Sequence, residues 1–408
     1  MKIQQLAPDL GMVELAVLLD DLRSRPCLRP FAPEVLEFCT AFSQALFKDA
    51  EARRFPALQA LAFRMRKAEL VRLRQDFERL ESSNVLLAPR GLVFHLPPTN
   101  VDTVFIYSWL MAVVTGNQNV IRLSTRAPEQ TGVICRLFRE TQSVAGGAVA
   151  GNTAIIQYGH EREITAAVSA ACDVRIIWGG DASVEAVRSV PLPPHAKELT
   201  FPDRYSLAAI HADPYLALDT AGRVSLAEAF FNDTYWFDQM ACSSPRLVVW
   251  CGSPEASNAC AESFWQHLRE HLARKAYEIE TGTRLNQFTF SCRAVLDQGV
   301  AGYQRLADGL TLLRLERLDT VTREHPGGGL LFQYAAPSLA EVAAFVQRRD
   351  QTMCAFGFTQ EELRAFARLV NGRGVDRIVP LGQALTFDYR WDGYNLLQEL
   401  TRHVYIGR

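Results

Sequence analysis

Gly91-Leu92-Val93-Phe94-His95-Leu96-Pro97-Pro98 is a short, mostly apolar run entered by a glycine and closed by two prolines. Proline cannot donate to a sheet ladder, so the run reads as a buried strand that stops at Pro97. An apolar stretch over 101–115 and a Gly116-Asn117 stop come next, then a second strand, Asn119-Val120-Ile121-Arg122-Leu123. The pattern recurs with a helix over 127–142, the strand Thr153-Ala154-Ile155-Ile156-Gln157, a helix over 161–171 and the strand Asp173-Val174-Arg175-Ile176-Ile177-Trp178. Strands alternating with helices of this length require crossovers rather than hairpins. The sheet is therefore predicted to be parallel and doubly wound, with its ligand at the carboxyl ends of the strands.

Working outward, a second pass of the same character begins near Tyr205. Strands are predicted at 205–211, 246–251, 311–315 and 329–333, with helices at 223–231, 254–278 and 339–349. The tail carries Arg377-Ile378-Val379-Pro380, an aromatic segment from Phe387 to Tyr394 and a predicted helix over 395–402. Toward the amino terminus, residues 12–80 are predicted helical, with Leu61, Met65, Leu70, Leu73, Phe77 and Leu80 spaced for one face. The expected architecture is α/β: a helical segment 1–84, one lobe 85–204 rejoined by the tail 372–408, a second lobe 205–371, and a cleft between the lobes.

Composition narrows the function. The 408 residues are 48% hydrophobic and 22% charged, with a net charge of −2, so no global field recruits nucleic acid or an anionic membrane. The apolar stretch from Val104 to Thr115 is too short for the roughly 20 residues of a membrane span. The segment Met1-Lys2-Ile3-Gln4-Gln5 shows no signal-peptide pattern. Nine cysteines without Cys-x-x-Cys spacing suggest a reduced, cytoplasmic setting and no metal site.

The chemistry concentrates in Asn232-Asp233-Thr234-Tyr235-Trp236-Phe237-Asp238-Gln239-Met240-Ala241-Cys242-Ser243-Ser244-Pro245-Arg246. Cys242 sits among small and polar residues just before the apolar run Leu247-Val248-Val249-Trp250, where a cysteine kept only for packing would more naturally lie. A nucleophilic cysteine needs open approach and donors for a developing oxyanion. Asp-Gln before it and Ser-Ser-Pro after it suit a strained loop ahead of a strand. No Ser/His/Asp triad suggests itself, and His95, inside an apolar run, reads as a hydrogen-bonded core histidine.

Five pieces in order, Gly91 to Asn100, Gly116-Asn117 through Arg122-Leu123-Ser124, Trp178-Gly179-Gly180-Asp181, Asp238 to Pro245 and Trp391-Asp392-Gly393, together resemble the aldehyde dehydrogenase superfamily. Within it they resemble the acyl-CoA reductases of the bacterial bioluminescence type, which reduce fatty acyl thioesters to aldehydes. The resemblance covers roughly residues 85–408 and implies an aldehyde dehydrogenase-like fold of two doubly wound lobes after an N-terminal helical segment. In that reading 85–204 binds the dinucleotide and 205–371 carries the catalytic Cys242. The resemblance implies that Cys242 takes the acyl group from a carrier thiol and that a nicotinamide delivers hydride to the resulting enzyme thioester.

It also assigns the remaining site residues. Asn100 matches the oxyanion asparagine, although an Asn there equally suits the cap of the helix that follows. Arg122, Ser124, Thr125 and Arg126 stand where the adenosine ribose is held. Without a carboxylate they suit a 2′-phosphate, so NADPH is expected over NADH; ordinary surface arginines are the alternative. Gly179, Gly180 and Asp181 fall beside the nicotinamide and pyrophosphate, or form a plain strand-to-helix turn with Asp181 or Ser183 as its cap. Glu324 matches, loosely, the glutamate that holds the nicotinamide ribose. Where hydrolytic relatives place a water-activating glutamate, counting back from Arg204 gives Thr200, with Glu198 and Asp203 nearby. A missing base favours thioester reduction over aldehyde oxidation. The expected partners are an acyl-CoA or acyl-protein thioester, an acyl-protein synthetase or acyl carrier protein, and further copies of the chain. An oxidative aldehyde dehydrogenase and a non-catalytic acyl-transfer subunit are the competing readings.

Overall fold

Leu92–Leu96 forms a strand buried at all five positions, and the structure, a computed structural model, describes residues 1–8, 11–97, 104–125, 129–297, 299–319 and 321–407. Two compact units result, Met1–Pro202 with Tyr394–Arg408, and Asp203–Gly393. Among the described residues the first unit's main sheet has seven strands, in the order Gly11–Glu14, Lys2–Ala7, Thr153–Gln157, Gln118–Leu123, Leu92–Leu96, Val174–Trp178 and Lys197–Phe201. The last five are parallel, as the crossover argument requires. The chain starts on Leu92–Leu96, steps twice to one side, then returns to the other side with Val174–Trp178. The point where the order reverses lies between those two strands, whose carboxyl ends run into Pro97 and into Gly179-Gly180.

The first 84 residues are not a separate helical segment, contrary to expectation. Lys2–Ala7 is a strand that pairs antiparallel with Thr153–Gln157 and joins the main sheet. Helix Pro33–Lys48 buries Phe38 and Phe42 against Trp109 and Phe138, with ring centroids 5.2–6.5 Å apart. The Trp109 indole N–H is satisfied by Thr153 Oγ1 at 3.1 Å. Such a pairing depends on a strand some 150 residues away, which local periodicity does not report.

Among the described residues the second unit also carries a seven-stranded sheet, in the order Val300–Ala307, Leu310–Leu315, Leu330–Ala336, Pro245–Cys251, Tyr205–His211, Asp350–Phe356 and Arg377–Pro380. Only the first pair is antiparallel. Pro245–Cys251 is buried throughout, which fits a central strand covered on both faces. Three features depart from the sequence reading. The tail does not rejoin the first unit from residue 372, because Arg377–Pro380 pairs with Asp350–Phe356 in the second sheet and only Tyr394–Arg408 returns. Asp350–Phe356, Val300–Ala307 and the helices Thr281–Asp297 and Gln360–Val370 were not anticipated. The predicted helix over 395–402 is a single turn, Leu396–Glu399, followed by the strand Thr401–Tyr405, whose β-branched and aromatic residues pair with Val85–Pro89.

Candidate active site

The turn that carries Cys242 is strained, as its composition suggests. Asp238 and Gln239 both adopt left-handed backbone, with φ of 49° and 64°. Such residues cost on the order of 1–3 kcal/mol each and persist only when their surroundings hold them. Gln239 does the holding. It is fully buried, and its amide nitrogen donates to Pro245 O and Leu330 O, both at 2.9 Å, while its carbonyl accepts from Gly329 N at 3.0 Å. Gly328 N donates to Asp238 O at 2.8 Å. Gly327, Gly328 and Gly329 have φ of 74°, 65° and 79°, and a side chain at Gly329 would collide with Gly309 O. Only glycine allows that close an approach.

Cys242 follows, half-buried, whereas Cys39, Cys135, Cys172, Cys251, Cys260 and Cys354 are buried. Its carbonyl accepts from Ser206 Oγ at 2.7 Å, and Ser244 Oγ donates to Asp233 O at 2.7 Å, which fixes both flanks of the turn. Burial, then the Asp392 carboxylate, push the Cys242 thiol up to about 11; Arg246, a Gln351 hydrogen bond and Arg377 pull the other way. The resting sulfur is a thiol near neutral pH.

Parallel register explains the company that Cys242 keeps. Pro245 lies beside Ser206, Asp350 beside Tyr205 and Thr352 beside Arg377, so the amino ends of four strands meet at one edge. That edge gathers Arg204, Ser206, Cys242, Arg246, Gln351 and Arg377. The sequence reading assigns a role at the sulfur only to Cys242; Gln351 and Arg377 come from segments more than a hundred residues further along the chain. The expectation that ligand sits at carboxyl ends was formed on the first sheet; here the candidate nucleophile lies at the amino edge. Asp392, from the Trp391-Asp392-Gly393 piece of the resemblance, also belongs to this group. It is buried, with a φ of 52° and Oδ1 3.8 Å from Arg204, and burial raises its carboxyl to about 6.

The candidate bases have partners of their own within their units. Glu198 is ion-paired through one oxygen to Arg175 and through the other to Arg188 at 3.0 Å. Asp203 lies 3.6 Å from Arg349, and Thr200 sits within Lys197–Phe201. His325 accepts from Gly327 N at Nδ1, 3.1 Å away, and burial beside Arg246 lowers it to about 2. His95 is the core histidine expected, bonded to Ser108 Oγ at 2.8 Å and Asn119 Oδ1 at 3.0 Å.

The nucleotide candidates divide. Arg122 lies near the end of the strand Gln118–Leu123, Ser124 and Thr125 follow it, and Gly179 and Gly180 lead into the helix Asp181–Arg188, all at the carboxyl edge of the first sheet. Arg122 is not a free surface charge: its guanidinium donates to Gly159 O and lies 5.2 Å from the Tyr158 ring centre. Ser124 O accepts from Gln157 Nε2 at 3.0 Å, and Thr125 is exposed. Gly180 is the N-cap of Asp181–Arg188 and has no side chain, so the cap position falls one residue before Asp181, where the expectation put Asp181 or Ser183. A side chain added at Gly180 would meet open space, so this helix start at the reversal point leaves room for a pyrophosphate. A dinucleotide fits these residues. Glu324, by contrast, belongs to the second unit, is 70% exposed and lies 3.7 Å from Arg293. Asn100 and Arg126 lie outside the described residues. Among the described residues no group of three or more His, Cys, Asp or Glu side chains is placed to hold a metal, and no helix is long and apolar enough to cross a membrane.

Comparison with known proteins gives a family and a fold. The sequence profile of the acyl-CoA reductase (LuxC) family matches residues 67–403. The long-chain acyl-protein thioester reductase of Aliivibrio fischeri is 25% identical over 326 residues, covering 78% of this chain and 64% of that protein. The protein of the same description from Photorhabdus laumondii is 23% identical over 333 residues, covering 79% and 65%. The chain thus spans just under two thirds of the length of these relatives. Among solved structures, PnpE in complex with nicotinamide adenine dinucleotide superposes with a TM-score of 0.68 at 13% identity, covering 100% of this chain and 94% of that one. The fold is that of the aldehyde dehydrogenases.

Proposed function

The chain belongs to the acyl-CoA reductase (LuxC) family, and from that premise we propose that it reduces a long-chain fatty acyl thioester to the aldehyde, with NADPH as reductant, through an acyl group held on Cys242. The observation that carries this reading is the turn at Cys242: a half-buried cysteine on a strained, fully braced loop, with Arg246 and Arg377 acting on its sulfur. The sulfur attacks the thioester carbon, the carrier thiol leaves with a proton, and the acyl group rests on Cys242 as a new thioester. The chemistry that a reduced nicotinamide would supply, when held at the first sheet's carboxyl edge, is hydride for that thioester carbon. Collapse of the thiohemiacetal then releases aldehyde and returns the sulfur.

Both tetrahedral species carry charge on the former carbonyl oxygen, for which the backbone N–H of Cys242 and the side chain of Asn100 are the assigned donors. Arg246 and Arg377 favour the thiolate that attacks and the thiolate that is regenerated. With Glu198 bound to two arginines and threonine at position 200, a base for water is missing, which suits an acyl-enzyme that must outlast the wait for hydride. Gly179, Gly180 and Asp181 would hold the pyrophosphate, and Arg122, Ser124, Thr125 and Arg126 the adenosine ribose with its 2′-phosphate. The acyl donor is a CoA or protein thioester, delivered by a synthetase or carrier.

Intact-mass measurement after incubation with a long-chain acyl-CoA, without NADPH, is expected to show one acyl addition that Cys242→Ala abolishes together with acyl-dependent NADPH oxidation. Undiminished NADPH oxidation by Cys242→Ala would overturn the reading.

A further inference from the structure

A groove of about 670 Å³ lies between one face of the helix Pro254–Lys275 and one face of the second sheet, and none of the residues assigned above lines it. Its size is ordinary for a small-molecule site. On the helix wall, Asn258, Glu262, Trp265 and Arg269 recur at spacings of three and four, which keeps them on one side. On the sheet wall, Gly302 lies opposite Arg314 and Arg314 beside Gln333, a single row across three strands. The buried Trp250 and Trp265 close the back.

The polar groups of this groove are arranged by charge. An indole only donates, and Trp250 and Trp265 both give their Nε1–H to Gln333 Oε1, at 3.2 and 2.9 Å. The carboxamide is thereby fixed with its oxygen spent and its NH2 left for the groove that Gln333 lines. Arg269 and Arg314 are exposed on opposite walls. Among the described residues neither has a carboxylate partner, whereas Arg284 and Arg305, on adjoining elements, share Asp308. Glu262 stands two helical turns from Arg269, about 10 Å along the axis, so the helix wall has a cationic end and an acceptor end. Gly302 leaves room beside Arg314. Its φ is not left-handed, and an added side chain would meet only Arg314, at an ordinary 3.5 Å, so its own backbone does not demand glycine even though the strand shifts register next to it. Glycine weakens a strand and often marks a place where another group comes close.

We propose that this groove binds an adenine nucleotide, with its phosphates between Arg269 and Arg314 and its base toward Asn258 and Glu262. Guanidinium forks match phosphate oxygens. A carboxamide matches the amino group and ring nitrogen on the edge of adenine, and the Glu262 carboxylate accepts from the same amino group. The ring lies flat against an aromatic wall at little cost in specificity. A fatty chain suits the groove less, because it would leave the Gln333 NH2 and the Asn258 amide facing hydrocarbon. The nucleotide is either free or the adenosine phosphate end of an acyl-CoA; the second source rests on the thioester reading above, and the site itself does not.

Photolabelling of the full chain with 8-azido-ADP, mapped by peptide mass spectrometry, locates the bound base. Label is expected within residues 250–269 or 300–315. Replacing both arginines, Arg269→Ser with Arg314→Ser, is expected to weaken labelling about tenfold, the loss of charge-assisted contacts to phosphate. Gly302→Leu, which fills the groove from a position with space for a side chain, is expected to do the same. The arginine variant alters only exposed side chains and decides the matter if Gly302→Leu does not fold. Label confined to the first unit, or undiminished in the arginine variant, would overturn the site. Protection by CoA at lower concentration than ADP makes the carrier end of an acyl-CoA the occupant, and protection by ADP without CoA makes it a free nucleotide; protection by neither overturns the proposal. Labelling needs no acyl group and no NADPH, so it stands even when no acyl-Cys242 forms, and its failure leaves the acyl-enzyme reading untouched.

Discussion

Cys242 stood out in the sequence because it broke a local rule, a cysteine among polar residues at the door of an apolar strand. The structure adds the reason that the position is maintained: two left-handed residues, Asp238 and Gln239, turn the chain, and the buried Gln239 amide spends all its hydrogen bonds holding the turn. Arg204, Arg246, Gln351, Arg377 and Asp392 had no comparable signal, since a buried arginine looks like any other in a string of letters. The cofactor residues are the reverse case, legible by motif and sparingly described by contacts. Thr125 is exposed just after its strand, and in the proposed reading it is the position that decides charge near the ribose. Thr125→Glu is expected to turn preference from NADPH toward NADH, lowering the NADPH-to-NADH ratio of kcat/KM at least about tenfold by repelling a 2′-phosphate. An unchanged ratio in steady-state assays would remove Thr125 from the site.

At the level of elements, alternation of strand and helix was readable wherever both faces of a strand are buried, as in Leu92–Leu96 and Pro245–Cys251. It failed where a strand begins with polar residues, as Asp350-Gln351-Thr352 does. Those three side chains are buried all the same, because they serve the site edge rather than the core. His95 shows how elements are pinned together: from its strand it reaches Ser108 in the helix Val104–Val114 and Asn119 in the neighbouring strand. Burial lowers it from an ordinary value of 6.5 to about 4. Below pH 6.5 the unfolded chain therefore gains a proton that the folded one refuses until about pH 4, so stability present at neutral pH is lost as pH falls through that window. The loss amounts to about 3 kcal/mol from this one group. Urea unfolding of His95→Gln at pH 7 and pH 4.5 is expected to show a smaller difference between the two pH values than the wild type shows. An identical difference would mean that other groups carry the acid sensitivity.

On the scale of the whole molecule, the N-terminal residues changed status most. They read as an amphipathic helical segment without a motif, yet Lys2–Ala7 completes a sheet and Phe38 and Phe42 fill the space beside Trp109 and Phe138. Removing residues 1–84 would uncover that aromatic cluster and the edge of Thr153–Gln157. The truncated chain is expected to aggregate, with little or no monodisperse protein on gel filtration; a soluble, monodisperse product with native circular dichroism would show the segment to be dispensable. The sequence by itself determined the α/β class and the parallel crossovers and singled out Cys242 as the proposed nucleophile, because periodicity, proline stops and a misplaced cysteine are all local. Only the tertiary structure decided where the tail pairs, which amino-edge residues surround the sulfur, and that Asp392 and Gln351 meet there. Those facts depend on strand order and register, and the energy that selects them is the burial of side chains brought together from distant parts of the chain.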